Sequence, residues 1–556
     1  MKKNLSIVIL LISLAISQSV FSQTYSFEKG KVPEGWKIDK GVLHISSEKY
    51  KSGSRSLQIK WKQNAVLTLP SPTGISEACR NRNGGMNAWI YNESPTKENL
   101  LFSFRDETGK EVCQLPFLLD FKGWRCIWAK FQGDMNMSSK SNIQSVEIQF
   151  PQHTKKGVTY IDLLEFTSKV SWQNMSDAQY KVNRTDYSLI PDFIGYRNAT
   201  PKVEKVITAE DNQITTITNR LTTWYLGSGQ HSSERWIKMR TENEKTFIRN
   251  GVKAAQKIKI QYTEDHTPQG EPLFPMGAPT IIDGQEAKKF RSINENILLP
   301  LALDYRKNQN DQSLKKALYI YDWFNDQGWA DGSSMGTLCF EKLRSSGYFH
   351  SFFLLKEQLS SEQLKRELQT MNWFTMFGAC YQLPSHAGEV ADNLRALAIP
   401  KLIYALSQND KQEREVALTA FKHYMDNALG IAPGFFGTFK ADFSGYHHRG
   451  PYHSAYYPHA LYAGALIAYL LHDTPYALSE TTLHNLKQGL LTFRFFCAGL
   501  EVPAGTVGRF PKGQQILETL LPAFAYTALS FKEPDKELTA AFKRILESTE
   551  NQQAIT

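Results

Sequence analysis

Two periods divide this chain. From Gln23 to about Ser168, apolar and polar residues alternate or form short β-rich runs. Ser56-Leu57-Gln58-Ile59-Lys60-Trp61, Ala65–Leu69, Asn87–Tyr91, Leu100–Arg105 and Val146–Phe150 are such segments, separated by Gly, Pro, Asn and Ser clusters. Short strands at this spacing, without a helical period, predict a β-sandwich of jelly-roll type. Tyr50–Leu57 reads as a turn followed by a strand, as in carbohydrate-binding sandwiches. The plainer expectation is a domain that only packs against the rest.

A polar connector with Pro191 and Pro201 covers 169–202. Beyond it, and most clearly from Leu314, the period lengthens. Leu314–Trp329, Ser360–Phe374, Val390–Leu406, Gln412–Ala428, Tyr456–His472, Ser479–Phe496, Gln514–Phe531 and Asp535–Leu546 carry apolar residues at helical spacing. Ser479 is a capping serine, and Pro458 falls in a first helical turn. Successive helices with almost no strand between them exclude a doubly wound fold. They predict an α/α toroid whose helix ends and loops form a cleft. The expected organisation is α+β and multidomain: 1–22 a leader, 23–168 the β-sandwich, 169–202 a linker and 203–556 the helical catalytic domain.

The leader is read from Met1-Lys2-Lys3, the apolar Leu5–Ile16 and the small-residue site before Gln23. It predicts export, so a secreted or periplasmic protein. No later apolar run is long enough to span a bilayer. The net charge is +9, and +7 once Lys2 and Lys3 are removed. Outside the cytoplasm that excess favours an acidic polysaccharide over nucleic acid, although a solvated lysine-rich face explains it equally. A monomer is expected. The six cysteines show no zinc or CxxC spacing, and several, in apolar contexts, read as buried thiols, with Cys113–Cys126 the candidate for a bridge across neighbouring strands.

The chemistry concentrates in Phe443–Tyr462, FSGYHHRGPYHSAYYPHALY. This stretch holds four of the thirteen histidines, five tyrosines and one arginine, but no carboxylate. Surface loops are usually filled with Ser, Asn, Asp and Gly, and cores do not take four imidazoles without partners. Proton-carrying groups at this density point to acid–base chemistry. Without a carboxylate among them, these histidines give no reason to expect a metal, and no other cofactor is expected. Two further pieces accompany the loop: Val390-Ala391-Asp392-Asn393-Leu394-Arg395 and Val507-Gly508-Arg509-Phe510-Pro511.

With these pieces the chain resembles the chondroitin ABC lyases among the family 8 polysaccharide lyases, over most of its mature length. In the β region the resemblance rests on Ala88–Glu93 and Gly123-Trp124-Arg125. In the helical region it rests on the His/Tyr loop, Leu470-Leu471-His472-Asp473-Thr474-Pro475 and the Gly508-Arg509 loop. It implies β-elimination on glycosaminoglycans, giving a 4,5-unsaturated uronate. By the same resemblance His448, Tyr456 and Arg509 are the catalytic residues. Tyr456 protonates the leaving oxygen, with the role of base also open to it, and Arg509 assists the Tyr hydroxyl or binds substrate. Asn393 neutralises the uronate carboxylate. His447, Arg449, Tyr452, His453 and Trp323 are candidate substrate contacts, each with structural support or core packing as the competing reading. His459 stands open between those two roles.

Two departures from the family pattern matter. The segment after His448 is longer by at least one residue, which leaves Tyr452 and Tyr457 as alternatives to Tyr456. The chain stops at Thr556, whereas family members continue into β domains that supply a catalytic Glu. A fragment, a shortened enzyme and an impaired one are therefore all open, as is a glycosaminoglycan-binding remnant. A glycoside hydrolase using Asp392 and Asp442 is the remaining alternative.

Overall fold

A computed structural model describes residues 24–171, 175–182, 193–230, 233–262, 267–274, 288–335, 342–508 and 514–551. The expected leader, Arg509 and Cys339 lie outside them. The chain divides into two compact units: 1–190 with 259–289 and 321–339, and 191–258 with 290–320 and 340–556.

Among the described residues up to 171, the first unit carries ten strands: β1 Lys37–Ile38, β2 Gly41–Ser46, β3 Ser56–Lys62, β4 Val66–Pro70, β5 Gly85–Asn92, β6 Asn99–Arg105, β7 Glu111–Leu118, β8 Gly123–Lys130, β9 Ser145–Gln149 and β10 Lys156–Thr167. They form two antiparallel sheets, in the orders β1-β4-β9-β6-β7 and β2-β3-β10-β5-β8. Leu57, Ile59, Ile90 and Ile127 of one sheet share a core with Leu67, Phe102, Phe117 and Ile148 of the other. The expected sandwich is therefore present. Side chains along a strand point alternately to its two faces, yet every residue of β5 and β8 is buried. Their second face is aromatic: Trp89, Tyr91, Trp124 and Trp128 form another cluster with Phe274. That second apolar face is why 259–289 and 321–339 belong to this unit, beyond the boundary expected at 169–202.

Two expectations fail here. Trp323 is 0% exposed, and its indole N–H is donated to the Glu271 carbonyl at 3.0 Å, so no ring face is open to a sugar. The Cys113–Cys126 bridge is absent because β7 and β8 lie in different sheets; both thiols are free.

The second unit is helical. Ala391–Leu406 and Tyr457–Leu471 pack on each other and are buried nearly all round. Lys411–Ala428 and Glu480–Phe496 carry polar faces. A helix that is apolar on every side belongs inside, and one with a single apolar stripe belongs outside. That alternation is the inner and outer layering of an α/α toroid. Ser479 caps Glu480–Phe496 by accepting from the Thr482 N–H at 3.2 Å, and Pro458 lies in the first turn of Tyr457–Leu471. The helix expected over Gln514–Phe531 is only Leu521–Leu529, preceded by a strand pair, Glu501–Val502 with Gln514–Gln515, and a 3-10 turn. Pro522 sits at its start, because a prolyl ring cannot follow an earlier helical turn without a clash. Among the described residues, no helix is long and apolar enough to cross a membrane.

Candidate active site

The His/Tyr stretch folds as a tight hairpin running into a buried helix. Tyr446–His447 pairs antiparallel with Gly450–Pro451, leaving His448 and Arg449 as the two turn residues. Their φ values are 49° and 67°. Two consecutive left-handed residues match the twist of a short hairpin, but Asn-Gly normally occupies them. His448 and Arg449 both project into solvent from this turn. The hairpin is held from outside itself. The Tyr446 N–H donates to Thr438 O at 2.9 Å, His453 N–H to Thr506 O at 3.0 Å and the Ser454 hydroxyl to Val507 O at 2.8 Å.

The last two bonds bring the Gly508 loop to the site. Gly508 has φ +73°, and a Cβ there would stand 2.5 Å from the Tyr452 ring. Only glycine permits that approach. Arg509 follows directly in the chain.

Tyr456 stands just ahead of the helix Tyr457–Leu471, half-buried. Its ring lies face to face with His447, centroids 3.9 Å apart and planes 24° from parallel. His448 packs edge-on at 4.0 Å from His447 and 5.7 Å from Tyr456, and Tyr452 stands 5.0 Å from Tyr456. Four rings able to give or take protons thus meet in one cluster.

The carboxylate missing from the loop comes from the helix Ala391–Leu406. Asp392 Oδ2 lies 3.4 Å from His447 Nε2, near enough for attraction but poorly aligned for a hydrogen bond. Its Oδ1 accepts from Arg395 Nε at 2.8 Å and from Nη2 at 2.6 Å. Burial pushes the Asp392 carboxyl up, but His447 and Arg395 outweigh it and hold it down at about 2. The Arg395 guanidinium also lies 5.6 Å from the Tyr456 ring. Asn393, one residue on, accepts from the buried Lys342 ammonium at 3.2 Å and donates to Glu389 at 3.2 Å.

Several expected roles change. His447 is buried between Asp392 and Tyr456, so it supports the cluster rather than meeting solvent. Tyr452 is buried beneath Gly508 and walls the cluster. His453 is 1% exposed, accepts from the Gly445 N–H at 3.4 Å and stacks on Phe496; burial pushes its imidazole down to about 4. It is a neutral core group, not a substrate contact. Tyr457 is fully buried with its hydroxyl donated to Phe443 O at 2.8 Å, which removes it as an alternative to Tyr456. Asp392, held ionised, is unsuited to the proton-donor role a glycosidase requires. Arg395 was part of a quoted piece of the sequence but was given no role, although an acid and a base at i,i+3 on a helix are neighbours and signal such a pair. Among the described residues, no group of three or more His, Cys, Asp or Glu is placed to hold a metal ion.

Residues 21–182 match the family model described as the N-terminal domain of a lyase, and 200–552 match the lyase catalytic domain. A chondroitin sulfate ABC exolyase of Bacteroides thetaiotaomicron is 26% identical, covering 94% of this chain and 53% of its own length. A chondroitin sulfate ABC endolyase of Proteus vulgaris is 24% identical, covering 96% and 55%. The chain spans about half the length of the curated relatives it matches. A Paenibacillus xanthan lyase structure aligns with a TM-score of 0.46 and 12% identity over 60% of this chain and 31% of that one, too distant to bear on the site.

Proposed function

The chain belongs to the lyase family whose N-terminal and catalytic models it matches, and from that premise we propose that it cleaves chondroitin-type glycosaminoglycans by β-elimination. The C5 proton of a uronic acid is weakly acidic. It becomes removable when the adjacent carboxylate is neutralised, because charge then develops on a stabilised enolate-like group. Asn393 is the residue for that task. Its amide nitrogen carries two hydrogens, and one donated to Glu389 leaves one for a substrate carboxylate.

A base then removes the C5 proton, the C4–O bond breaks with its electron pair passing to the leaving oxygen, and an acid protonates that oxygen. The new C4=C5 bond gives the 4,5-unsaturated uronate. His448 and Tyr456 divide this proton traffic, with Tyr456 as the acid to the leaving group. Arg509 assists the phenol, since a cation beside a phenol favours its ionised form. The Asp392–Arg395 pair and His447 hold Tyr456 in place, and Arg449 at the hairpin tip meets acidic groups of the polymer. The observation that carries this reading is the half-buried Tyr456, stacked on His447 and edged by His448. Export through residues 1–22 would bring the enzyme to an extracellular polymer as a monomer.

The test is ultraviolet absorbance of the unsaturated uronate during incubation with chondroitin sulfate. Wild type is expected to produce it. Tyr456→Phe and His448→Ala are each expected to lose on the order of 10³-fold in rate. Binding without any product would reject catalysis by this chain and leave a glycosaminoglycan-binding protein.

A further inference from the structure

The helix Arg235–Ala255 is the most conspicuous element that the proposed chemistry leaves unused. Two hollows lie along it. One, of 480 Å³, is lined by Lys245, Arg249, Lys253 and Lys307. The other, of 340 Å³, is walled by Trp224, Tyr469 and Tyr526 and rimmed by Arg220, Arg240 and Lys307. Thr241, Glu244 and Lys307 line both, so the hollows form one groove.

Its lining carries more cations than carboxylates, although Lys245 pairs with Glu242 at 2.8 Å and Arg220 lies 3.9 Å from Asp473. Glu244 and Asp304 are its only carboxylates among the described lining residues. Glu244 pairs with Lys307. Asp304 accepts from Asn308, Asn310 and Ser313. Arg249 and Lys253 are exposed, and no carboxylate among the described residues pairs with either. Arg240 donates to the Trp224 and Tyr225 carbonyls at 2.9 and 3.2 Å, and Arg220 to those of Tyr469 and Leu470 at 3.4 and 3.3 Å, so both guanidinium groups are anchored. At one end the Tyr469 and Tyr526 rings stack at 5.0 Å and offer a flat aromatic wall. From Arg240 to Lys253 the cations run for about 20 Å at 1.5 Å per residue. Tyr469 lies near the opposite end of its helix from Tyr456, about 18 Å along the axis by the same rise.

We infer that this groove is a second binding site for an acidic polysaccharide, an exosite that holds a remote stretch of the polymer being cleaved at Tyr456. An extended row of cations fits an extended polyanion, and an aromatic wall suits the apolar face of a sugar ring. The inference takes its ligand class from the proposed function and adds a place and a role.

Charge reversal at the two exposed cations, Arg249→Glu with Lys253→Glu, tests it without disturbing the core. Turnover and calorimetric binding are measured at low ionic strength with long chondroitin sulfate and with a chondroitin tetrasaccharide. The KM for the long polymer is expected to rise about tenfold, with kcat and the tetrasaccharide KM unchanged. Trp224 emission is expected to shift on binding polymer, and Trp224→Phe to remove that shift. An unchanged polymer KM would overturn the inference. So would an equal rise with the tetrasaccharide, or single-stranded DNA of matched charge competing as well as chondroitin sulfate, since either makes the groove something other than a saccharide exosite. Polymer binding that depends on Arg249 and Lys253 without cleavage would reject the proposed function and leave the groove standing. Neither binding nor cleavage would reject both.

Discussion

Both units bury titratable groups, but they use them differently. In the sandwich unit, Asp162 is fully buried and its carboxylate accepts three backbone N–H groups, from Lys51 at 2.7 Å, Ser52 at 3.0 Å and Leu163 at 2.7 Å. The Lys51 ammonium donates to the Leu273 and Gln327 carbonyls, both at 2.7 Å, and sits 4.4 Å from the Trp89 ring. Every one of these bonds closes within the unit, on its backbone or, for a further bond from Lys51, on the Gln327 side chain at 3.3 Å. In the helical unit, the Asp392–Arg395–His447 set ends on Tyr456 and His448, which reach solvent. Burial of a titratable group therefore does not by itself mark chemistry. What distinguishes the second set is where its last member points.

The sharpest way to break this comparison is to remove one carboxylate from the closed set. Asp162→Ala strands three buried donors and is expected to cost about 3–5 kcal/mol of stability. Denaturant unfolding measures the loss, and the protein that remains folded is expected to keep wild-type kcat. A fall in kcat at constant stability would show that the sandwich network is not merely structural. The next largest effect is expected at Gly508→Ala. The added Cβ meets the Tyr452 ring and the backbone keeps its left-handed φ, so the cluster shifts. An ångström-scale displacement of reacting groups lowers kcat by about 10²-fold, with little change in the unfolding midpoint.

The smallest effect is in pH dependence. Burial pushes the Lys51 ammonium down to about 7, against the opposing pull of Cys126, Asp326 and Asp162. The unfolded chain, with an ordinary lysine near 10.4, binds the extra proton between those values. Stability from this group therefore rises with pH from about 7 to about 10, and is lost on descent. His453, pushed down to about 4 by burial, behaves likewise in a lower window: its contribution is complete above about 6.5 and disappears as pH falls towards 4. Thermal midpoints against pH, with Lys51→Met and His453→Phe as references, are expected to show two separate slopes, each flattened by its own variant only.

Much of the fold was legible because its signals were local. Ser479 and Pro458 announce helix starts from their own positions, and alternation announced the strands. The helices Asp211–Leu226 and Arg235–Ala255 were not marked, because they bury few residues and their polar surface hides a helical stripe. The boundary of the sandwich unit was hidden for the opposite reason. β5 and β8 are apolar on both faces, so no alternation reveals that a second layer must cover them. At the site, the density of His and Tyr was plain, but the choice of Tyr456 came from the family resemblance, with Tyr452 and Tyr457 beside it as alternatives. The burial of His447, Tyr452 and His453 could not, since it depends on what packs over the loop. Nor could the partner of His447, which arrives from another helix far upstream.

The backbone of the hairpin carries one more consequence. His448 and Arg449 occupy a mirror-image turn where a chain selected only to fold would place Asn and Gly. Exchanging the pair for those two residues should make the protein harder to melt while erasing the imidazole that the turn displays. A search for heat-resistant descendants, left to stability alone, would drift towards that exchange and, on the proposed function, discard the turnover. Keeping a selection for product throughout such a search would hold the chain at its less comfortable turn.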